Sequence, residues 1–431
     1  MVSSVWIYGR HPVQTPKLDI ETMPVANAAP DGIAASARRA ANDTLRIEVF
    51  DSMEPLESEW RALERDNLAS LHQGYDWCSA WVATYNNPLA IVRGSFGART
   101  AFILPLEIVR ANMVRSAQFI AARRSNINTG LFSREFLEAA EGGLTASQRD
   151  AIAQALQGKA DLVVLQNMPL GWRGRRSLLS HMPLVENQNH AFQLPFLSSF
   201  DETLKQLNAK RRRKKNRQQT RLLQDLGGFE HIAGGPVDEQ HMLLDLFFQQ
   251  KAVRFKEAGL PDVFQSPDAK AFLHRLIDSV RSDPSSVPLE MHAVRLKGTH
   301  EGHVPAVAAI SRKGDHVICQ FTSIDETVVP ASSPGELLFW VMIEHFHKQD
   351  VALFDFGIGD QLYKRSWCPA ETVQYDAILP ISALGHVAAF AQRGVTRTKA
   401  AIKANPKIYG FIQRLRSQAS HAPTAEPVDK D

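Results

Sequence analysis

Cysteine is scarce. The 431 residues contain three, Cys78, Cys319 and Cys368, far apart and without metal-ligand spacing. This speaks against a disulfide framework and a cysteine-based zinc site and points to a reducing compartment. Long apolar runs are also missing: none approaches the roughly 20 residues that cross a bilayer. The N-terminal MVSSVWIYGRHPVQTPK lacks the continuous apolar core of a secretory signal, so a cytoplasmic location is the expectation. Charge is nearly balanced, 49 Lys and Arg against 46 Asp and Glu for a net +3. Any recognition of a polyanion must therefore be local, and no specific nucleic-acid partner is expected.

What remains is an ordinary globular composition, 44% apolar and 22% charged, in a chain long enough for two or three domains. Residues 1–44 are rich in Ala, Pro, Thr and Ser and read as a disordered lead-in. Leu45–Phe50 alternates as a strand does. Glu54–Glu64 and Tyr75–Tyr85 read as helices whose Trp60, Trp77 and Trp81 suit a core. Leu89–Phe96 and Thr100–Val109 form a hairpin about the turn at 97–99, and a helix over 144–157 precedes a buried strand at 160–165. Phe192–Phe196 closes this half.

The second half begins at a capping box, Ser199 with Glu202, and its first helix stops at Gly227–Gly228. The middle of that helix is Lys210–Arg217, KRRRKKNR, and its few leucines lie on either side, so the basic stretch is expected to be solvated. A strand near 229–233, helices over 238–258 and 268–281, and strands at 289–296, 303–311 and 316–323 follow. The order of elements resembles that of the first half and predicts a duplicated α/β unit. Thr372–Leu379 is the last strand. From Ile381 to Ser417 the chain reads as a basic helical extension with no acidic residue before Glu426. Residues 418–431 form a tail. Contact of residues 393–416 with an anionic membrane surface, through Ile402, Ile408, Phe411, Ile412 and Leu415, competes there with packing on the domain.

The stretch that carries most chemistry is Val329–Trp367. Ser333 reads as an N-cap, with Pro334 at the first helical position and Glu336 as capping-box partner. A helix follows, then a short apolar strand at 351–356 and the glycines Gly357 and Gly359. A loop that feeds a helix N-terminus beside a strand end is suited to an anion. His345 and His347 lie on different sides of the helix with no third ligand, so no metal site is expected.

These pieces resemble a family. The basic helix ending in Leu226–Gly228, Arg254–Phe255, the Ser333–Pro334–Gly335 turn with Leu337–Leu338, and Phe354–Gly357 with Tyr363–Trp367 are similar to the CelD/BcsL acetyltransferase-like proteins of the GNAT superfamily, named for a link to cellulose biosynthesis. More distantly they resemble the Fem peptidyltransferases of cell-wall synthesis. The first half matches through Trp60, Trp77, Trp81 and Leu104–Pro105–Leu106. The resemblance covers about 45–380. It implies an α/β fold of tandem GNAT-like units with mixed central sheets flanked by helices, the first over 45–196 and the second over 197–380.

It also implies acyl transfer from acetyl-CoA or another acyl-CoA to an amine or hydroxyl acceptor, in polysaccharide or cell-envelope synthesis, without a metal. On that reading Ser332, Ser333 and Gly335, with Lys210 and Arg213 of the basic helix, hold the cofactor phosphates. Asp355, Asp360, Tyr363 and Lys364 are the catalytic candidates, as direct attack needs a base for the nucleophile and an acid for the leaving thiolate. Of the superfamily's pyrophosphate loop only the central glycine, Gly335, is kept, and Glu336 places negative charge where that ligand would sit. The competing reading is therefore a non-catalytic assembly or regulatory protein of this fold that binds an acidic partner through its basic helices.

Overall fold

The computed structural model describes residues 45–140, 143–279 and 285–404, with side chains to residue 398. The second half is built on a seven-stranded sheet. In spatial order its strands are Phe229–Ala233, Ser286–Leu296, Ala306–Lys313, His316–Ile324, Leu353–Ile358, Ala191–Pro195 and Ala370–Thr372. Neighbours are antiparallel except for His316–Ile324 and Leu353–Ile358, which run parallel. A parallel neighbour requires a crossover, and the helix Pro334–His347 supplies it.

The first half repeats this order. Strand Arg46–Phe50, two helices, a meander of antiparallel strands and the helix Ala146–Ala155 lead to Leu162–Met168, which lies parallel to Val114–Phe119. The chain thus has a tandem GNAT-like α/β fold. Pro105 breaks the expected strand at 100–109, because a residue without an N–H interrupts the ladder. Arg99–Leu104 then belongs to a four-stranded sheet and Leu106–Ala111 to a five-stranded one.

Two strands join the half that the sequence did not predict for them. Ala191–Pro195, expected to close the first half, pairs with Leu353–Ile358 of the second. Tyr375–Pro380, expected to end the second, pairs with Leu162–Met168 of the first. All five residues of Ala191–Pro195 are buried and all but Gln193 are apolar; a strand buried on both faces fits many interior slots, so its pattern does not reveal its partner. The helix expected from 199 to 227 is also two. Ser199 Oγ accepts from Glu202 N at 3.1 Å, and Asn208 Oδ1 accepts from Arg211 N at 3.2 Å to start the basic helix Ala209–Asp225. That helix ends at Gly227 (φ +109°), where a Cβ would meet Gly298 Cα at 2.5 Å.

The halves share a core. Trp77 meets Phe272 edge-on at 5.4 Å between centroids, joining the helix Tyr75–Tyr85 to Pro267–Asp278. Trp60, Trp77 and Trp81 are all buried in that cluster. On the other face of the seven-stranded sheet, the helix Pro334–His347 buries Leu337, Leu338, Met342, Ile343 and Phe346.

Candidate active site

The two parallel strands of the large sheet are joined for only three residues. His316 faces Leu353, Val317 faces Phe354 and Ile318 faces Asp355. Beyond these they part, each held by its outer neighbour. His316–Ile324 stays paired with Ala306–Lys313 as far as Ile324, and Leu353–Ile358 stays paired with Ala191–Pro195 as far as Ile358. The unpaired edges face one another across a gap that opens toward the first half.

A loop of the first half lies in the mouth of this gap. Asn126 Nδ2 donates to Gln320 Oε1 at 2.9 Å. Its amide would lie 3.1 Å from a Cβ at position 357, where φ is +72°, so Gly357 is required both by backbone and by space. Behind Asn126 is a cavity of about 170 Å³ between the halves. Gln320 and Ile358 of the parted strands line it with Trp77, Phe264, Arg123 and Arg124. Arg124 donates to Val263 O at 2.6 Å and lies over Phe264, whereas Arg123 is exposed.

The helix Leu362–Trp367, expected as a polar turn, sits on the other side of the gap. Lys364 is buried and Nζ donates to Ile358 O at 2.7 Å, on the last residue of the strand. Burial holds its pKa below the usual lysine value, because desolvation penalises the ammonium. Tyr363 stacks on Phe339 at 5.4 Å and meets Phe356, and its hydroxyl finds no hydrogen-bond partner among the described residues. Burial raises its pKa. Cys319, the first residue of the unpaired edge, is close enough to influence both side chains, and burial pushes its own thiol up to about 12.

The two aspartates have partners already. Asp355 is fully buried: Oδ2 accepts from Gln193 Nε2 at 2.7 Å and Oδ1 from Gly357 N at 2.6 Å, with His316 Nε2 3.5 Å away. Its carboxyl shapes the turn at Gly357 from inside the sheet. Asp360 receives the Arg365 guanidinium through both oxygens, at 2.5 and 2.8 Å, near the surface.

At the start of the crossover helix the predicted capping box is absent. Ser333 is left-handed (φ 45°, ψ 65°) and its side chain caps nothing. A cap needs an extended backbone to turn its oxygen onto the first turn, and the short 3-10 helix Pro330–Ser332 delivers the chain differently. This compact turn also consumes donors that an anion would need. The N–H groups of Ser332, Ser333, Glu336 and Leu337 all bond to carbonyls of residues 329–333, and Pro334 has none. Of residues 332–337, Gly335 alone keeps a free N–H among the described residues. Ser332 itself is buried, with Oγ donating to Val329 O.

Glu336 does not project naked charge. Arg212 Nη1 donates to its Oε2 at 2.8 Å and Lys215 Nζ lies 3.7 Å from the same atom. Arg212 also donates to Ser366 O and Oγ and stacks 3.4 Å from the Trp367 ring centre. Gln219 Nε2 donates to Ser332 O at 2.7 Å and to Ser333 O at 3.1 Å. Arg212, Lys215 and Gln219 lie three and four residues apart on one helix face, so part of the stretch expected to be solvated is packed: the Arg212 side chain is 10% exposed. Lys210 is on the exposed side, and Arg213 pairs with Asp201 at 2.7 Å. The i, i+3, i+7 spacing of Arg212, Lys215 and Gln219 was visible in the sequence; what it packs against was not.

No group of His, Cys, Asp and Glu suited to a metal occurs among the described residues. Residues 210–365 match the acetyltransferase (GNAT) domain family, while no curated protein matches the chain. Among solved structures the chain is similar to FemX, with a TM-score of 0.52 at 12% identity, covering 75% of this chain and 96% of that one. The L-PGS of Bacillus licheniformis scores 0.47 at 10% identity, covering 79% and 96%. A tandem GNAT protein from the clavulanic acid biosynthesis pathway scores 0.39 at 9%, covering 79% and 99%. At such identities the likeness to FemX speaks for the fold alone. The parted strands, their crossover helix and the basic helix that braces it all fall within the span that matches a GNAT acetyltransferase domain.

Proposed function

We propose that the protein transfers an acyl group from an acyl-CoA, acetyl-CoA among the candidates, to an amine or hydroxyl acceptor by direct attack on the thioester. The observation that supports this best is the gap between the parted strands, with Tyr363 and Lys364 on one side and the cavity between the halves on the other. The thioester lies in the gap and the acceptor reaches it from the cavity, past Asn126 and Gln320.

In this reading the acceptor's lone pair attacks the thioester carbonyl, the attacking nitrogen or oxygen gives up its proton to solvent entering through the cavity, the carbon–sulfur bond breaks, and the thiolate takes a proton. The neutral Tyr363 phenol, with no competing partner, is the acid for that sulfur. Lys364 spends one N–H on Ile358 O and has others to offer the carbonyl oxygen as charge develops on it. The oxygens of Asp355 and Asp360 are engaged, which assigns them to holding the turn rather than to proton transfer. The donor's phosphates are assigned to the free N–H of Gly335 and to Lys215, since Arg212 already neutralises Glu336. The resemblance to CelD/BcsL proteins supports a role in polysaccharide or cell-envelope synthesis.

The non-catalytic alternative draws support from the consumed N–H groups of the Ser332–Leu337 turn. Incubation with a panel of acyl-CoAs, recording thermal shift and thiol release, separates the two. Binding with thiol release that Tyr363→Phe and Lys364→Ala impair supports catalysis; no shift with any acyl-CoA refutes it.

A further inference from the structure

The helix Ala383–Ala404 is built inside out. Its underside lies on the strands Leu162–Met168 and Tyr375–Pro380 so closely that a Cβ on Gly385 would stand 1.7 Å from Asp161 O. The other buried residues on that side, Ala389 and Thr396, are small as well. The large apolar residues face outward: Val387 is 68% exposed, Phe390 81%, Val395 49% and Leu384 38%. At 100° per residue these four, with the exposed Ala391, Gly394 and Thr398, occupy one uncharged sector opposite Gly385. An apolar stripe normally turns toward the core, and a contiguous exposed one marks a surface that meets something.

The charge of the sequence through and beyond this helix indicates what. From Ala377 to Ala425 there is no Asp or Glu, while Arg393, Arg397, Lys399, Lys403, Lys407, Arg414 and Arg416 supply seven cations. Arg397 is exposed at the edge of the apolar sector, whereas Arg393 is turned in to Ile378 O. A second copy of the chain meeting this face would bring like charges together. An anionic lipid surface satisfies both features, apolar side chains entering the headgroup boundary and cations meeting lipid phosphates. No helix among the described residues is long and apolar enough to cross a membrane, so the contact is one of a helix lying on the surface.

We infer that the outward face of the helix Ala383–Ala404 docks the protein on an anionic bilayer through Leu384, Val387, Phe390 and Val395. The contact predicted from sequence spans residues 393–416 and enters through Ile402, Ile408, Phe411, Ile412 and Leu415, whose side chains lie outside those described; the apolar residues used here are different ones. The test is sedimentation of the full chain with phosphatidylglycerol-containing vesicles and with pure phosphatidylcholine vesicles. Tight binding to the former and weak binding to the latter is expected. Val387→Ser with Phe390→Ser should weaken it roughly ten-fold or more, and Arg397→Glu by a similar factor. Both sites are exposed, so circular dichroism should be unchanged. Equal binding to both vesicles, or wild-type binding by the double variant, overturns the proposal. So does a wild-type dimer in solution that the double variant converts to monomer, since a second copy would then cover the face.

Discussion

Replacing Arg212 by alanine probes the brace that joins the basic helix to the crossover helix. The side chain is one-tenth exposed, and its guanidinium donates to Glu336 and to Ser366 and lies on Trp367. Its pKa is lowered, chiefly by burial, so the charge is held at a cost that its partners offset. Removing one member of a buried pair costs about 3–5 kcal/mol. Glu336 keeps Lys215 at 3.7 Å and is itself 27% exposed, which places the expected loss at the lower end, about 3 kcal/mol. Arg212→Lys should recover only part, because an ammonium lacks both the fork and the stacking plane. The neighbouring Arg213, in an exposed pair with Asp201, should cost less than about 1 kcal/mol when changed to alanine. Urea denaturation followed by circular dichroism measures all three. An Arg212→Ala variant within about 0.5 kcal/mol of wild type, or one indistinguishable from Arg213→Ala, would refute the packing argument.

Other consequences follow from the same geometry. Tyr363→Phe removes a hydroxyl that makes no hydrogen bond among the described residues, so stability should hold while acyl transfer falls by about a hundred-fold or more; an unchanged kcat removes Tyr363 from the mechanism. Ser333→Ala should change stability by less than about 0.5 kcal/mol, since no cap is lost. Ser333→Gly should stabilise by about 0.5–1 kcal/mol, because glycine accepts the left-handed backbone freely; a clear loss in Ser333→Ala would restore the capping reading. Burial lowers His72 from 6.5 to about 4. Its neutral ring is satisfied, Nδ1 bonding to Ile127 O at 3.1 Å and Nε2 meeting Gln320 at 3.2 Å. Between pH 6.5 and 4 the unfolded chain binds this proton and the folded chain does not, so stability falls as pH falls. The contribution reaches on the order of 3 kcal/mol near pH 4. His72→Gln should flatten that slope in pH-dependent denaturation, and an equally steep slope in the variant would exclude His72 as its source.

Much of the fold was open to reading from residues alone. Tyr75–Tyr85, Phe229–Ala233 and His316–Ile324 announce themselves by spacing and by the glycines and prolines around them, because those signals act within a few residues of chain. The repeated order of elements predicted the duplicated unit for the same reason. The Asp355, Asp360, Tyr363 and Lys364 stretch was likewise visible as a candidate, being polar residues crowded at a strand end.

Tertiary structure decided everything that depends on which surfaces meet. Ala191–Pro195 and Tyr375–Pro380 carry no mark of their partners, since pairing is a contest among all available edges. Glu336 read as a charge hostile to an anion until Arg212 and Lys215, more than a hundred residues earlier, were found against it. The cavity of Arg123, Asn126, Gln320 and Ile358 has no contiguous motif, because it forms only where the two halves close. The apolar stripe Leu384–Val387–Phe390 carries no mark in sequence of which way it faces. Only the close approach at Gly385 turns it outward, since there is no room beneath for anything larger than an alanine or a threonine.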